Sequence, residues 1–290
     1  MELGVIAKGL FKKANTTRLA DLANGHIAND NPVLRRHVAL ADISSWVAEY
    51  HAFHQWQHSH WHPCIAQVLS LDLQMHCLTQ QQSAVPLLGL VHIANRIQWL
   101  APITAQNIDL ECQIHAFKWH RKGVVLTLRT QLTQLGEVVV IADCDYLYRS
   151  KLRASDDNST MPASEIQTMA EPQKLSLDKG VGRRYAQLSG DYNPIHLWPL
   201  TAKLFGFKQP IAHGMHTLAL CLTARYQAQS QWPGQRQLNA HFKAPASLPC
   251  ELHLACEAEH RIATANRLAL HNLNANEGQR EVLSLFVEEL

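Results

Sequence analysis

Between residues 189 and 196 the chain reads Ser189-Gly190-Asp191-Tyr192-Asn193-Pro194-Ile195-His196, placing a carboxylate and an imidazole five residues apart. Such a pair, aimed at one point, can hold a water molecule and move its protons. Pro194 stands between the two groups. In a helix it would remove an N–H and clash with the preceding turn, and it pushes Asn193 out of the α region. The segment therefore reads as a tight turn joining two helices, with Asp191 at its start and His196 at its end.

The elements that must aim this pair follow from the flanking residues. Lys179 to Leu188 is predicted helical, with Val181, Tyr185 and Leu188 on one face. Gly190 suits a left-handed C-terminal cap, so Asp191 emerges just beyond the helix. A short helix is expected from Leu197 to Phe205, ending near Gly206. Residues 208–215 then cross to a long apolar helix, His213 to Gln227, whose Met215, Leu218, Ala219, Leu222 and Tyr226 share a face. Gly214 falls in its first turn. The Gly214 N–H is one of the helix's unpaired donors at the positive dipole end, and an oxygen can approach it closely, as an oxyanion hole requires. Ser189 reads as a residue that caps or orients the loop. It lies in no G-x-S-x-G context and is not expected to be a nucleophile. Tyr185 is expected to pack under the loop, and His213 to serve structure rather than catalysis.

The chain looks like two copies of one unit. His37 to Leu40 leads into an apparent helix, Ile43 to Phe53, as Lys174 to Leu177 leads into Lys179 to Leu188. A second helical stretch follows in each half, Ile65 to Leu78 and His213 to Gln227. Gln98-Trp99-Leu100-Ala101-Pro102 resembles His241-Phe242-Lys243-Ala244-Pro245, and strands with period-two alternation come next: 108–114, 124–132 and 137–148, then 251–256, 267–273 and 282–287. The Leu135-Gly136-Glu137 turn supports a hairpin. Helices followed by runs of strands indicate α+β. Residues 1–150 form the first domain, 151–173 a linker rich in Ser, Asp, Asn, Pro and Glu, and 174–290 the second domain. The first copy has no counterpart to 189–196; its corresponding stretch, 51–64, is rich in His, Trp and Gln. One reaction centre is expected, in the second half.

Composition narrows the function classes. A net charge of +2 over 290 residues makes no case for nucleic acid or an anionic membrane. The seven cysteines include no C-x-x-C pair, which argues against a disulfide framework or zinc ribbon and fits a reducing cytoplasm. No run of 18 apolar residues predicts a membrane helix, and the first residues do not read as a secretory signal.

Tyr185 to His196, followed by Ala202, Gly206-Phe207 and Pro210-Ile211-Ala212-His213-Gly214-Met215, resembles the hydratase-2 signature of the MaoC-like dehydratases, the (R)-specific enoyl-thioester hydratases. The resemblance implies a double hotdog, with two antiparallel sheets each wrapped around a long central helix, a degenerate first half and a catalytic second half. It implies reversible syn addition of water to a trans-2-enoyl thioester, giving an (R)-3-hydroxyacyl thioester. Asp191 and His196 would hold the water, one accepting its proton while the other delivers a proton to C2. The Gly214 N–H would stabilise the thioester oxygen, and Asn193 would shape the loop. No metal or redox cofactor is implied; the substrate itself carries coenzyme A or the phosphopantetheine of a carrier protein. Both a monomer and a homodimer are compatible. A hotdog thioesterase and a non-catalytic acyl-thioester binder are the alternatives.

Two further groups stand out. His51, His54, His58, His60, His62 and Cys64 are metal-ligand types, but Trp56 and Trp61 among them favour a packed loop near the substrate tunnel. Arg183, Arg184, Lys203, Lys208, Arg225 and Lys243 flank the signature, and one or two of them are candidates for holding substrate phosphates.

Overall fold

The computed structural model describes residues 12–87, 89–150, 173–226, 234–256, 265–274 and 278–289. Of the expected linker, 151–172 lies outside the described residues, and Gln173 already opens a strand.

The first half runs α1 (Thr16–Ala23), β1 (Leu34–Ala39), α2 (Leu40–Phe53), α3 (Ile65–Leu69), α4 (Leu71–Thr79), β2 (Leu90–Trp99), β3 (Asn107–His120), β4 (Gly123–Gln134) and β5 (Glu137–Arg149). The second runs β6 (Gln173–Leu177), α5 (Val181–Ser189), a 3-10 turn (Pro194–His196), α6 (Pro199–Leu204), α7 (Gly214–Tyr226), β7 (Arg236–Phe242), β8 (Cys250–Cys256), β9 (Ala265–Asn274) and β10 (Gly278–Glu289). The duplication read from the sequence is explicit in the strand order, β1-β3-β4-β5-β2 followed by β7-β10-β9-β8-β6. Each half has the same internal order, and the halves meet where β2 pairs antiparallel with β7, Ala94 opposite His241 through Trp99 opposite Arg236. The two expected sheets are thus joined edge to edge into one of ten strands. Pairing these edges also removes two rows of open backbone groups.

Alternation makes the sheet's inner face. Ile108, Leu110, Cys112 and Ile114 are buried along β3 while Asn107, Asp109 and His115 are exposed. At the β4–β5 hairpin, Leu135 and Gly136 both take positive φ, 51° and 84°, as a two-residue turn requires. The central helix of the second half, α7, is continuous, with Leu218, Ala219, Cys221 and Leu222 fully buried. Its counterpart is broken at Ser70, between α3 and α4. There the Ser70 hydroxyl donates to the Gln67 carbonyl at 3.0 Å and accepts from Gln74 Nε2 at 2.9 Å, a buried polar network that competes with a continuous helix. Among the described residues no helix is long and apolar enough to cross a membrane.

Candidate active site

α5 ends as its sequence dictates. Gly190 adopts φ +78°, and its N–H donates to the Ala186 carbonyl at 2.9 Å. Ser189 supports the turn from beneath: its hydroxyl donates to the Tyr185 carbonyl at 2.7 Å and accepts from the Asp191 N–H at 3.2 Å. Asp191 Oδ1 accepts the Asn193 N–H at 3.1 Å, and the Asn193 carbonyl accepts the His196 N–H at 3.0 Å. These short-range bonds curl the chain so that residues 191 and 196 face the same side. Gly182 lets α5 lie directly against the turn; a Cβ there would meet the His196 carbonyl oxygen at 2.2 Å.

His196 is buried, and its Nδ1 lies 2.8 Å from the Ile211 carbonyl oxygen. A carbonyl only accepts, so Nδ1 carries the proton and, in the neutral ring, Nε2 keeps its lone pair. His213 stacks on His196 with ring centroids 3.8 Å apart. Its Nε2 donates to the Asp191 main-chain carbonyl at 3.0 Å and lies 4.0 Å from Asp191 Oδ2. One ligand-type atom from each of Asp191, His196 and His213 lies within 4.8 Å of the others, close enough for one small molecule to touch them together. Tyr185 packs under His213, ring centroids 4.8 Å apart, as expected for a supporting residue.

Electrostatics set the protonation states. Burial pushes the Asp191 carboxyl upward, but His213, His196, the Asn193 N–H and His92 outweigh it and hold the group below the ordinary carboxylate range. Burial is also the largest influence on His196 and keeps its imidazole below the usual value, against the opposing pull of the Asp191 charge and the Ile211 carbonyl. His213 is driven by burial, and then by His196, down to about 3. At neutral pH the cluster is one carboxylate beside two neutral imidazoles.

The group borders a cavity of about 730 Å³. Asp191, Asn193, His196 and Gly214 line it from the second half. Gly214 is the first residue of α7, and a Cβ there would press on the Phe242 ring at 3.0 Å. The first half supplies the apolar lining residues Leu71, Met75, Leu78 and Leu87. It also supplies His92 and Tyr146, which sequence reading missed. Their rings stack with centroids 4.9 Å apart, and His92 meets Phe242 edge-on at 4.8 Å. No motif marks these two; only the β2–β7 pairing brings them to the site.

Two sequence expectations need correction. The His-rich stretch is not beside the cavity. It packs on α7 instead, where His54 Nε2 meets His216 Nδ1 at 3.1 Å, His62 Nε2 faces the Ala219 carbonyl at 3.2 Å and His58 Nε2 the Tyr226 carbonyl at 3.0 Å. Each ring has a different partner, and among the described residues Asp191, His196 and His213 are the one set with metal-ligand spacing. Among the flagged cations, Lys243 alone lines the cavity. Arg184 pairs with Asp178, and Arg183 lies 4.1 Å over the Trp198 ring.

Comparison with known proteins agrees with this architecture. Residues 163–260 match the family model of the MaoC like domain. The chain is similar to 3-hydroxyacyl-thioester dehydratase X of Mycobacterium tuberculosis, 28% identical over 163 residues; the alignment covers 56% of this chain and 57% of that protein. Its fold superposes on the crystal structure of HtdX of Mycobacterium tuberculosis with a TM-score of 0.72 at 24% identity, covering 89% of this chain and all of that one. It also superposes on a double-hotdog protein of the same organism with a TM-score of 0.53 at 12% identity, covering 91% of this chain and 96% of that one. The chain carries a MaoC-like domain set in a double-hotdog fold.

Proposed function

We propose that the protein catalyses the reversible hydration of trans-2-enoyl thioesters to (R)-3-hydroxyacyl thioesters. The first half, 1–150, would house the acyl chain, and the second, 174–290, would carry the chemistry. The observation that carries this reading is the convergence of Asp191 and His196 at a cavity also lined by the apolar side chains Leu71, Met75, Leu78 and Leu87.

With Asp191 ionised and His196 neutral, the pair holds no spare proton. The proton that reaches C2 is then the one taken from water, and one base both takes and returns it. This differs from the division of roles that the family resemblance implies. His196 Nε2 is the acceptor, because Nδ1–H is committed to the Ile211 carbonyl. Asp191 holds the water's other hydrogen and stabilises the transient imidazolium. Oxygen adds to C3, the Gly214 N–H meets the charge developing on the thioester oxygen, and the imidazolium returns its proton to C2 on the same face. Water supplies both atoms, so the catalyst ends unchanged. Asn193 and Ser189 hold the turn, and Tyr185 with His213 supports the two reacting side chains. These steps are proton transfers within one chain and call on no redox cofactor; the substrate brings coenzyme A or phosphopantetheine.

Crotonyl-coenzyme A tests the reading. A hydratase removes the enoyl absorbance, a thioesterase releases free thiol, and a binding protein does neither. Positioned acid–base catalysis is worth roughly 10² to 10⁴-fold, so Asp191→Asn and His196→Ala are expected to lose about that much turnover while remaining folded. Near wild-type turnover in both variants would overturn the assignment.

A further inference from the structure

The cavity has two chemically opposite linings. Leu71, Met75, Leu78 and Leu87 form an apolar wall; its mouth, where the lining side chains are exposed, carries Arg121, Lys122, Arg149, Lys243 and Arg280. Arg121 and Lys122 form the turn between β3 and β4, and Arg149 ends β5. Lys243 directly follows β7, and Arg280 lies near the start of β10. Three strands of the joined sheet, β5, β7 and β10, and one hairpin turn therefore deliver cations to a single opening. Lys243 is paired with Glu281 at 3.2 Å, whereas Arg121, Lys122, Arg149 and Arg280 form no ion pair with any described carboxylate. All four are exposed. Five cations with a single carboxylate partner leave a positive field over the opening, which a low-dielectric cavity wall focuses. Asp191 and His196 line the same cavity.

The geometry points to a binding site for a phosphorylated handle at this mouth, supplied mostly by the first half: the substrate is an amphipath whose phosphate groups rest on Arg121, Lys122, Arg149 and Arg280 while its apolar tail reaches α4. This rests on the thioester reading above. It assigns the first half a second task besides housing the chain, and it replaces the cations flagged beside the signature with ones remote in sequence. Guanidinium and ammonium groups bind phosphate through charge-assisted hydrogen bonds, which exceed neutral ones in strength.

Three crotonyl thioesters separate the contributions: pantetheine without phosphate, 4′-phosphopantetheine, and coenzyme A. The test pairs Arg121→Gln/Lys122→Gln with Arg149→Gln/Arg280→Gln. Each double variant is expected to raise KM for the phosphorylated thioesters about tenfold, the combined loss of two charge-assisted hydrogen bonds at exposed side chains. The pantetheine thioester and kcat should be unaffected. An effect shared by 4′-phosphopantetheine and coenzyme A assigns the rim to the phosphate common to coenzyme A and carrier proteins; an effect on coenzyme A alone assigns it to the nucleotide phosphates. Unchanged KM throughout, or an equal rise for pantetheine, overturns the inference. Titration of coenzyme A itself keeps the two readings apart: binding that weakens in the variants supports the rim even if no crotonyl thioester is hydrated.

Discussion

Gly182 is the residue whose replacement most directly tests how the site is held. A Cβ added there would sit 2.2 Å from the His196 carbonyl oxygen, against the 3.4 Å at which ordinary contact begins. The separation must therefore grow by about 1.2 Å, the difference of those two distances. The obstacle is backbone, so no rotamer change relieves it. The Pro194–His196 turn resists because its Ile195 carbonyl accepts the Ile211 N–H at 3.1 Å and its Pro194 carbonyl accepts from Thr201 at 2.7 Å. If the turn gives way, the 2.8 Å bond from His196 Nδ1 to the Ile211 carbonyl is the first to stretch. Overpacking of this kind costs about 1–3 kcal/mol, offset by up to ~1 kcal/mol of helix propensity gained by alanine. A misplacement near 1 Å costs on the order of 10²-fold in rate. Gly182→Ala is thus expected to lower the melting temperature by a few degrees and crotonyl-coenzyme A turnover by about two orders of magnitude. Gly180→Ala is the control, because its Cβ would meet first the far end of the Arg184 side chain, at 2.9 Å. Wild-type stability and turnover in Gly182→Ala would refute the claim that close approach of α5 sets the position of His196.

Other outcomes follow from the same structure. With His196 held neutral below its ordinary range, the pH profile of kcat/KM on the pantetheine thioester should stay level as pH falls from 8 and break downward only below 6.5; a break at or above 7 would remove His196 as the base. Stability should fall in mild acid. Burial lowers His54 and His92 to about 4 and His213 to about 3, with His62 and His216 also well below 6.5. Their contribution is fully present above 6.5, where folded and unfolded chains are both neutral, and is lost as pH falls from 6.5 toward the folded values. Each ring costs up to ~1.4 kcal/mol per pH unit, so five approach the whole stability of a domain within one unit; a melting temperature unchanged between pH 7 and 5 would contradict the neutral assignment. Thioesters of four to sixteen carbons should all be accepted if the apolar lining houses the chain, and a strict preference for the shortest would refute that role.

The site's local geometry was legible because it is written in short-range chemistry. Gly190 supplies the positive φ, Pro194 interrupts the helix, and Asp191, Asn193 and Ser189 bond to main-chain groups two to four residues away. Those preferences belong to the residues themselves and survive without any tertiary partner. The duplicated order of helices and strands was legible for a related reason, since hydrophobic period reports which face of an element is buried.

What lies opposite the motif was decided elsewhere. His92, Tyr146 and the cations at residues 121, 122 and 149 reach the cavity only because β2 pairs with β7 in one register, and register across some 150 residues of chain leaves no local mark. The histidines at 54, 58 and 62 had a recognisable composition but no readable destination; the packing of α2 on α5, where Trp46 donates to the Leu188 carbonyl at 2.8 Å, turns them toward α7 rather than the cavity. The sequence by itself determined the turn that carries Asp191 and His196 and the kind of fold that bears it. Tertiary structure alone decided what the pair faces, because contacts between the halves depend on where two sheet edges meet and not on the preferences of the residues along either one.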